Sequence, residues 1–105
     1  MTRERLSNRR PALTFDLEVG GLRYTATIGR YPDGRVGELF ISSHKNDSSA
    51  DTNARDVAIA FSFAVQHGAD LDAIRRALSR DSRGNASGPL GAALDIIATA
   101  ETTTA

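Results

Sequence analysis

The chain has no cysteine and no tryptophan, only six other aromatic residues, three prolines and one methionine. Without cysteine it can form no disulfide framework, no thiolate metal site and no cysteine nucleophile. It can support neither thiol nor thiyl-radical chemistry by itself. A cysteine-free chain suits a reducing compartment, and a cytoplasmic location is the expectation. Net charge is also lacking, because thirteen basic residues balance thirteen acidic ones. No overall field therefore draws the protein towards nucleic acid or a membrane surface. No apolar run approaches the roughly 20 residues needed to span a bilayer. The first ten residues are polar, so no secretory leader is expected.

What remains is a chain of 105 residues, the size of one domain, with 40% apolar and 25% charged residues. Residues 1–11 hold Arg3, Arg5, Arg9 and Arg10 against a single acid, Glu4, and read as a flexible basic arm. Leu13, Phe15, Leu17 and Val19 then alternate with Thr14, Asp16 and Glu18, the period of a strand with one buried face. Gly20-Gly21 supplies a tight hairpin turn, and Leu22 to Ile28 alternate again. Tyr31-Pro-Asp-Gly-Arg35 is a second turn. The third strand, 36–42, alternates poorly through Leu39, Phe40 and Ile41, and Gly37 signals a bulge.

Residues 43–52 read as a long polar loop. A helix over 54–66 follows, capped by Asp51, Thr52 or Asn53 and apolar round most of its circumference, hence expected at the centre of the core. His67 and Gly68 mark its C-terminal end. Asp70 caps a second helix whose stripe is Leu71, Ile74, Ala77 and Leu78, with Arg75, Arg76 and Arg80 facing water. Ser87-Gly-Pro89 opens a third helix carrying Leu90, Ala93, Leu94 and Ile97. The tail, 99–105, is expected to fray. The fold class is α+β: a three-stranded antiparallel β-meander followed by about three helices packed on one sheet face, with the folded domain over 12–98.

Several strings occur together in order. Tyr31-Pro-Asp-Gly-Arg-Val-Gly-Glu-Leu-Phe-Ile41 leads into His44-Lys45; Ala58-Ile-Ala-Phe-Ser62, Gln66-His-Gly68, Leu71 and Ser87-Gly-Pro89 follow. This order resembles the TSCPD-type C-terminal domain of adenosylcobalamin-dependent ribonucleotide reductases, over about residues 12 to 98. The Thr-Ser-Cys-Pro-Asp string that names that domain is absent, as are the cysteines that reductase chemistry needs. The resemblance implies a freestanding relative of an accessory domain rather than a reductase.

Candidate site residues gather around the long loop. His44 and Lys45 lie where the third strand ends, and Asn53 and Arg55 lie at the start of the next helix. A neutral His, two cations and the free N–H groups of a helix start can hold a phosphate or carboxylate. The alternative is that His44 and Lys45 simply tie the loop to the helix. Asp51 and Asp56 read as a cap and a first-turn dipole partner rather than an acid–base pair. The two histidines lack metal-ligand spacing, and no cofactor motif occurs. Arg9, Arg10, Arg23, Arg30 and Arg35 form an alternative nucleic-acid surface if the hairpin arginines share a face with Tyr24 or Tyr31.

The functional expectation is a non-catalytic accessory or regulatory module that binds a protein partner or a small anionic, nucleotide-like ligand near 43–55. A trans-acting role in ribonucleotide reduction and a weak nucleic-acid binder are the alternatives. No cofactor is expected. A homodimer is, because the apolar helix needs more cover than two short helices provide.

Overall fold

A computed structural model describes residues 2–45 and 48–103. Three strands, β1 (Ala12–Val19), β2 (Leu22–Arg30) and β3 (Val36–Ser43), form an antiparallel sheet in the order β1-β2-β3. Three helices follow: α1 (Ser49–Gln66), α2 (Leu71–Ala77) and α3 (Pro89–Thr103). The α+β meander expected from the alternation is therefore present.

Both turns have the expected chemistry. Val19 pairs with Leu22 across Gly20-Gly21, whose φ angles of 61° and 77° are those of a turn matched to strand twist. At the second turn the Gly34 amide donates to the Tyr31 carbonyl at 2.9 Å. The bulge also falls where expected: Gly29 pairs with Glu38 and Arg30 with Val36, which leaves Gly37 as the extra residue of β3. Glycine is required there by close approach. A Cβ on Gly37 would lie 2.7 Å from the Tyr31 ring and 3.0 Å from the Leu6 side chain.

The inner sheet face contributes Leu17, Tyr24, Ala26, Ile28, Leu39 and Ile41 to the core. Beneath it α1 lies along β3 and α3 along β1. α3 meets the sheet through Leu90, Ala93, Leu94 and Ile97, the stripe read from its spacing. It continues to Thr103, so positions 99–103, expected to fray, are helical.

α1 differs from expectation in three ways. It starts at Ser49, so the last four residues of the supposed loop at 43–52 are helix; Asn46 and Asp47 of that stretch lie outside the described residues. Its N-cap is Ser48, whose hydroxyl accepts from the Asp51 amide at 3.1 Å, and not Asp51, Thr52 or Asn53. Nor is it buried all round. Ala54, Ala58, Phe61 and Val65 are buried, while Ile59 and Phe63 are 48% and 46% exposed. An edge position explains this: α1 covers the margin of the sheet, and its far side meets water. His67 does cap its C-terminus, and Gly68 follows at φ 99°.

The polar residues on the buried side of α1 close the edge of β3. Ser62 Oγ accepts from the Leu39 amide at 2.8 Å and donates to the Leu39 or Ala58 carbonyl. Gln66 Nε2 donates to the Gly37 carbonyl at 2.8 Å. Asp51 Oδ1 accepts from the Ser43 amide at 2.8 Å. A sheet edge is a row of unpaired backbone groups open to another strand, and here three side chains of one helix occupy it.

The basic arm lies against the body. Glu4 N–H donates to the Gln66 carbonyl at 2.7 Å, and Arg3 stacks over Phe63 with its guanidinium carbon 4.4 Å from the ring centre. The Tyr31 hydroxyl donates to the Glu4 carbonyl, and Arg10 pairs with Glu38. Burial, reinforced by the Glu4 carboxylate, raises the Tyr31 phenol above its ordinary pKa and keeps that donor protonated. On the opposite flank Arg75 and Arg80, expected to face water, converge on Asp95 of α3, with Arg80 bidentate at 2.8 Å.

Candidate functional site

The outer face of the sheet is open. Among the described residues no helix covers it, and its centre carries a polar row. Thr14 and Thr27 hydroxyls meet at 2.9 Å, and Thr25 Oγ1 donates to Asp16 Oδ1 at 2.9 Å. His44 completes this row. Its backbone amide donates to the Arg23 carbonyl at 2.9 Å, extending the β2–β3 ladder by one residue. Its Nε2 lies 2.8 Å from Thr25 Oγ1 and 3.7 Å from Asp16 Oδ1. The imidazole is thus laid across the sheet instead of pointing towards the helix start.

Lys45 is exposed, with its amide bonded to Ser43 Oγ at 3.0 Å and its carbonyl accepting from Ser48 Oγ at 2.7 Å. These bonds join the strand end to the helix cap. Asn53 and Arg55 are exposed on α1, beyond its first free N–H groups, because the helix begins earlier than the spacing suggested. Asp51 already occupies the first turn of α1. Its carboxylate is held below the ordinary range, first by the Ser43 N–H and then by the Arg55 guanidinium, whose Nε lies 3.0 Å away. The structure therefore joins Arg55 to Asp51 and His44 to Asp16, so each of these two groups has a carboxylate beside it. An incoming anion would have to compete with both.

What the structure does build here is a groove of ≈ 240 Å³ lined by Thr25, Thr27, Phe40, Ile41, Ser42, Arg55 and Ile59. It runs over the β3 margin from the outer sheet face to the free side of α1. Phe40 is 51% exposed on one wall, and Ile59 stands on the other. The Arg55 guanidinium and three hydroxyls supply the polar contacts, a mixture suited to recognition of a mainly apolar group. Of the expected site residues only Arg55 lines it. Phe40 and Ile59 were the residues missed. Their signals were present as the broken alternation of β3 and the over-wide apolar stripe of α1.

The arginines do not converge. Arg23 projects from the outer face beside Asp16, at 3.9 Å. Arg30 donates to the Gly34 carbonyl, Arg35 pairs with Asp33 at 2.7 Å and Glu4 at 3.0 Å, and Arg10 is taken by Glu38. Arg9 lies in the exposed N-terminal stretch. Tyr24 and Tyr31 are both buried, Tyr31 beneath the Arg35 guanidinium carbon at 4.7 Å from its ring centre, so neither ring offers an exposed face for a base to stack on. Among the described residues no group of three or more His, Asp or Glu side chains is gathered to hold a metal ion, and no helix is long and apolar enough to cross a membrane.

Curated relatives share about two thirds of this chain. A vitamin B12-dependent ribonucleotide reductase of Agrobacterium fabrum is 39% identical over 70 residues, which is 67% of this chain and 6% of the reductase. Its counterpart in Rhodopirellula baltica is 38% identical over 72 residues, 69% of this chain and 7% of that protein. That of Streptomyces clavuligerus is 34% identical over 70 residues. This chain is related to a segment of those reductases. It spans less than a tenth of the length of these two, so the segment is a small part of a much larger protein. No family model matches the chain, and no solved structure matches it. The kinship seen in the ordered strings is thus supported at the level of the reductase segment.

Proposed function

We infer that this chain is a non-catalytic accessory module of ribonucleotide reduction, which docks on a protein partner of the reductase type. The observation that carries this reading is the groove between Phe40 and Ile59. Two large apolar side chains stand half exposed on opposite walls, outside a core that is already closed. Exposed apolar pairs rimmed by hydroxyls and one guanidinium are the anatomy of a small protein-docking site. Kinship to a reductase segment supplies the partner class. The segment carries no cysteine in this chain, so any radical or dithiol step would belong to the partner. A cytoplasmic setting, where ribonucleotides are reduced, is part of the same reading.

The test is co-purification of the tagged chain from its native host, beside a Phe40→Ser/Ile59→Ser double variant. Recovery of a reductase chain with the wild type and its loss with the variant is the expected result. Equal recovery by both would remove the groove from the argument, and recovery of no reductase would remove the function.

A second reading keeps a small nucleotide-like anion as the ligand. It is favoured by Arg55 and the exposed Phe40 lining the same groove, a cation and an open ring in one site. Chemical-shift titration with a nucleoside triphosphate separates the two. Shifts centred on Phe40 and Arg55 that saturate at physiological concentration would support the nucleotide.

A further inference from the structure

The two edges of the sheet are treated differently. That of β3 is closed by Gln66, Ser62 and Asp51 of α1. That of β1 pairs with β2 alone, and among the described residues no side chain or backbone group is bonded along its outer side. The direction of each backbone group follows from the β3 contacts. The Leu39 amide points to α1, so the groups of Ile28, its partner, point to β1, and those of Leu13 point back to β2. The Arg30 amide donates to the Pro11 carbonyl at 3.2 Å, which confirms the same parity. The N–H and C=O groups of Ala12, Thr14, Asp16 and Glu18 therefore face outward from β1.

We propose that this edge binds a second copy of the chain, β1 against β1, antiparallel about a twofold axis at Phe15, to give a continuous six-stranded sheet. Charge and the extent of pairing together select the register: axes at Leu13 or Thr14 leave Glu18 without a partner within β1. An axis at Phe15 places Thr14 opposite the partner's Asp16 and Ala12 opposite the partner's Glu18. Moving the axis to Asp16 sets two Asp16 carboxylates against each other, and an axis at Leu17 sets Asp16 against the partner's Glu18. Like charges directly opposite destabilise a strand pair. With the axis at Phe15 the outward groups of 12, 14, 16 and 18 all fall at hydrogen-bonded pairs. On the inner face, Leu13 then lies opposite the partner's Leu17, which covers the most exposed large apolar side chain among the described residues, 58% exposed in the single chain. Ile96 of α3, 40% exposed beside Leu17 and Val19, stands at the same margin and extends the apolar strip beneath the strands. This interface is on the opposite side of the sheet from the Phe40–Ile59 groove and does not depend on the function assigned to that groove.

Light scattering of the full chain, from low micromolar to about 0.2 mM, reads the mass directly. A rise from 11.2 kDa to twice that value is expected. Thr14→Asp puts a second carboxylate opposite Asp16 at both symmetric positions and should weaken the dimer about tenfold. Thr14 is exposed, so circular dichroism should show the fold intact. Phe15→Cys places the chain's only thiols at the axis, where Cα atoms of a non-hydrogen-bonded pair lie about 4.5 Å apart, within disulfide reach. Mild oxidation should give a covalent dimer, whereas Phe40→Cys should not. A monomer mass at every concentration, or a dimer untouched by Thr14→Asp and uncrosslinked through residue 15, overturns the proposal.

Discussion

Ser62 offers a sharp test of how α1 is held to the sheet. Its hydroxyl is buried, accepts from the Leu39 amide at 2.8 Å, and returns its one proton to the Leu39 or Ala58 carbonyl. In Ser62→Ala the Leu39 N–H loses its partner in a site closed to water. Leaving a buried donor unpaired costs about 1–3 kcal/mol. Alanine returns about 0.5 kcal/mol through its better helix propensity. The net loss is therefore about 1.5 kcal/mol, or about 8 °C in melting temperature for a domain of this size. Urea unfolding followed by circular dichroism measures it, with Thr52→Ala on the exposed side of the same helix as comparator. That variant should change stability by less than about 0.5 kcal/mol. If Ser62→Ala were as stable as the wild type, or Thr52→Ala equally damaging, the edge-closing role of Ser62 would be wrong.

Three further outcomes are expected. Gly37→Ala drives a Cβ to 2.7 Å from the Tyr31 ring and 3.0 Å from Leu6, so it should cost about 1–3 kcal/mol and release the N-terminal stretch, seen as faster tryptic cleavage at Arg3, Arg5 and Arg9. The Asp95 carboxyl is held below its ordinary value near 3.8, mainly by Arg80 with a contribution from Arg75. Its contribution to stability is thus complete above that value and is lost as pH falls below it through the lowered folded-state pKa, because the unfolded chain then binds the proton first. Unfolding midpoints measured between pH 5 and strongly acid solution should show this decline, and Asp95→Asn should flatten it. Phe40→Ser and Ile59→Ser should each leave stability within about 1 kcal/mol of the wild type by the same urea assay, since both side chains are half in water already.

Period-two alternation placed β1 and β2, the Gly20-Gly21 and Asp33-Gly34 turns ordered them, and Leu90, Ala93, Leu94 and Ile97 marked the buried side of α3. Those signals are local: a turn or a stripe is written in a few adjacent residues and survives any tertiary context. The start of α1 was misplaced because Ser48 and Asp51 look like loop residues until the cap and the Ser43 contact give them partners. The candidate site suffered the same way, since the early helix start carries Asn53 and Arg55 past the free N–H groups, and His44 turns to Thr25.

By itself the sequence determined the meander, the number of helices, and the exclusion of cysteine chemistry from this chain, because composition and short-range periodicity suffice for each. Only the tertiary structure decided that α1 sits at the β3 edge with Ser62 and Gln66 closing it, that Phe40 and Ile59 face each other across a groove, and that β1 is left open. Those facts depend on which strand a helix lies against, and that is set by packing between residues distant along the chain, for which no local pattern exists.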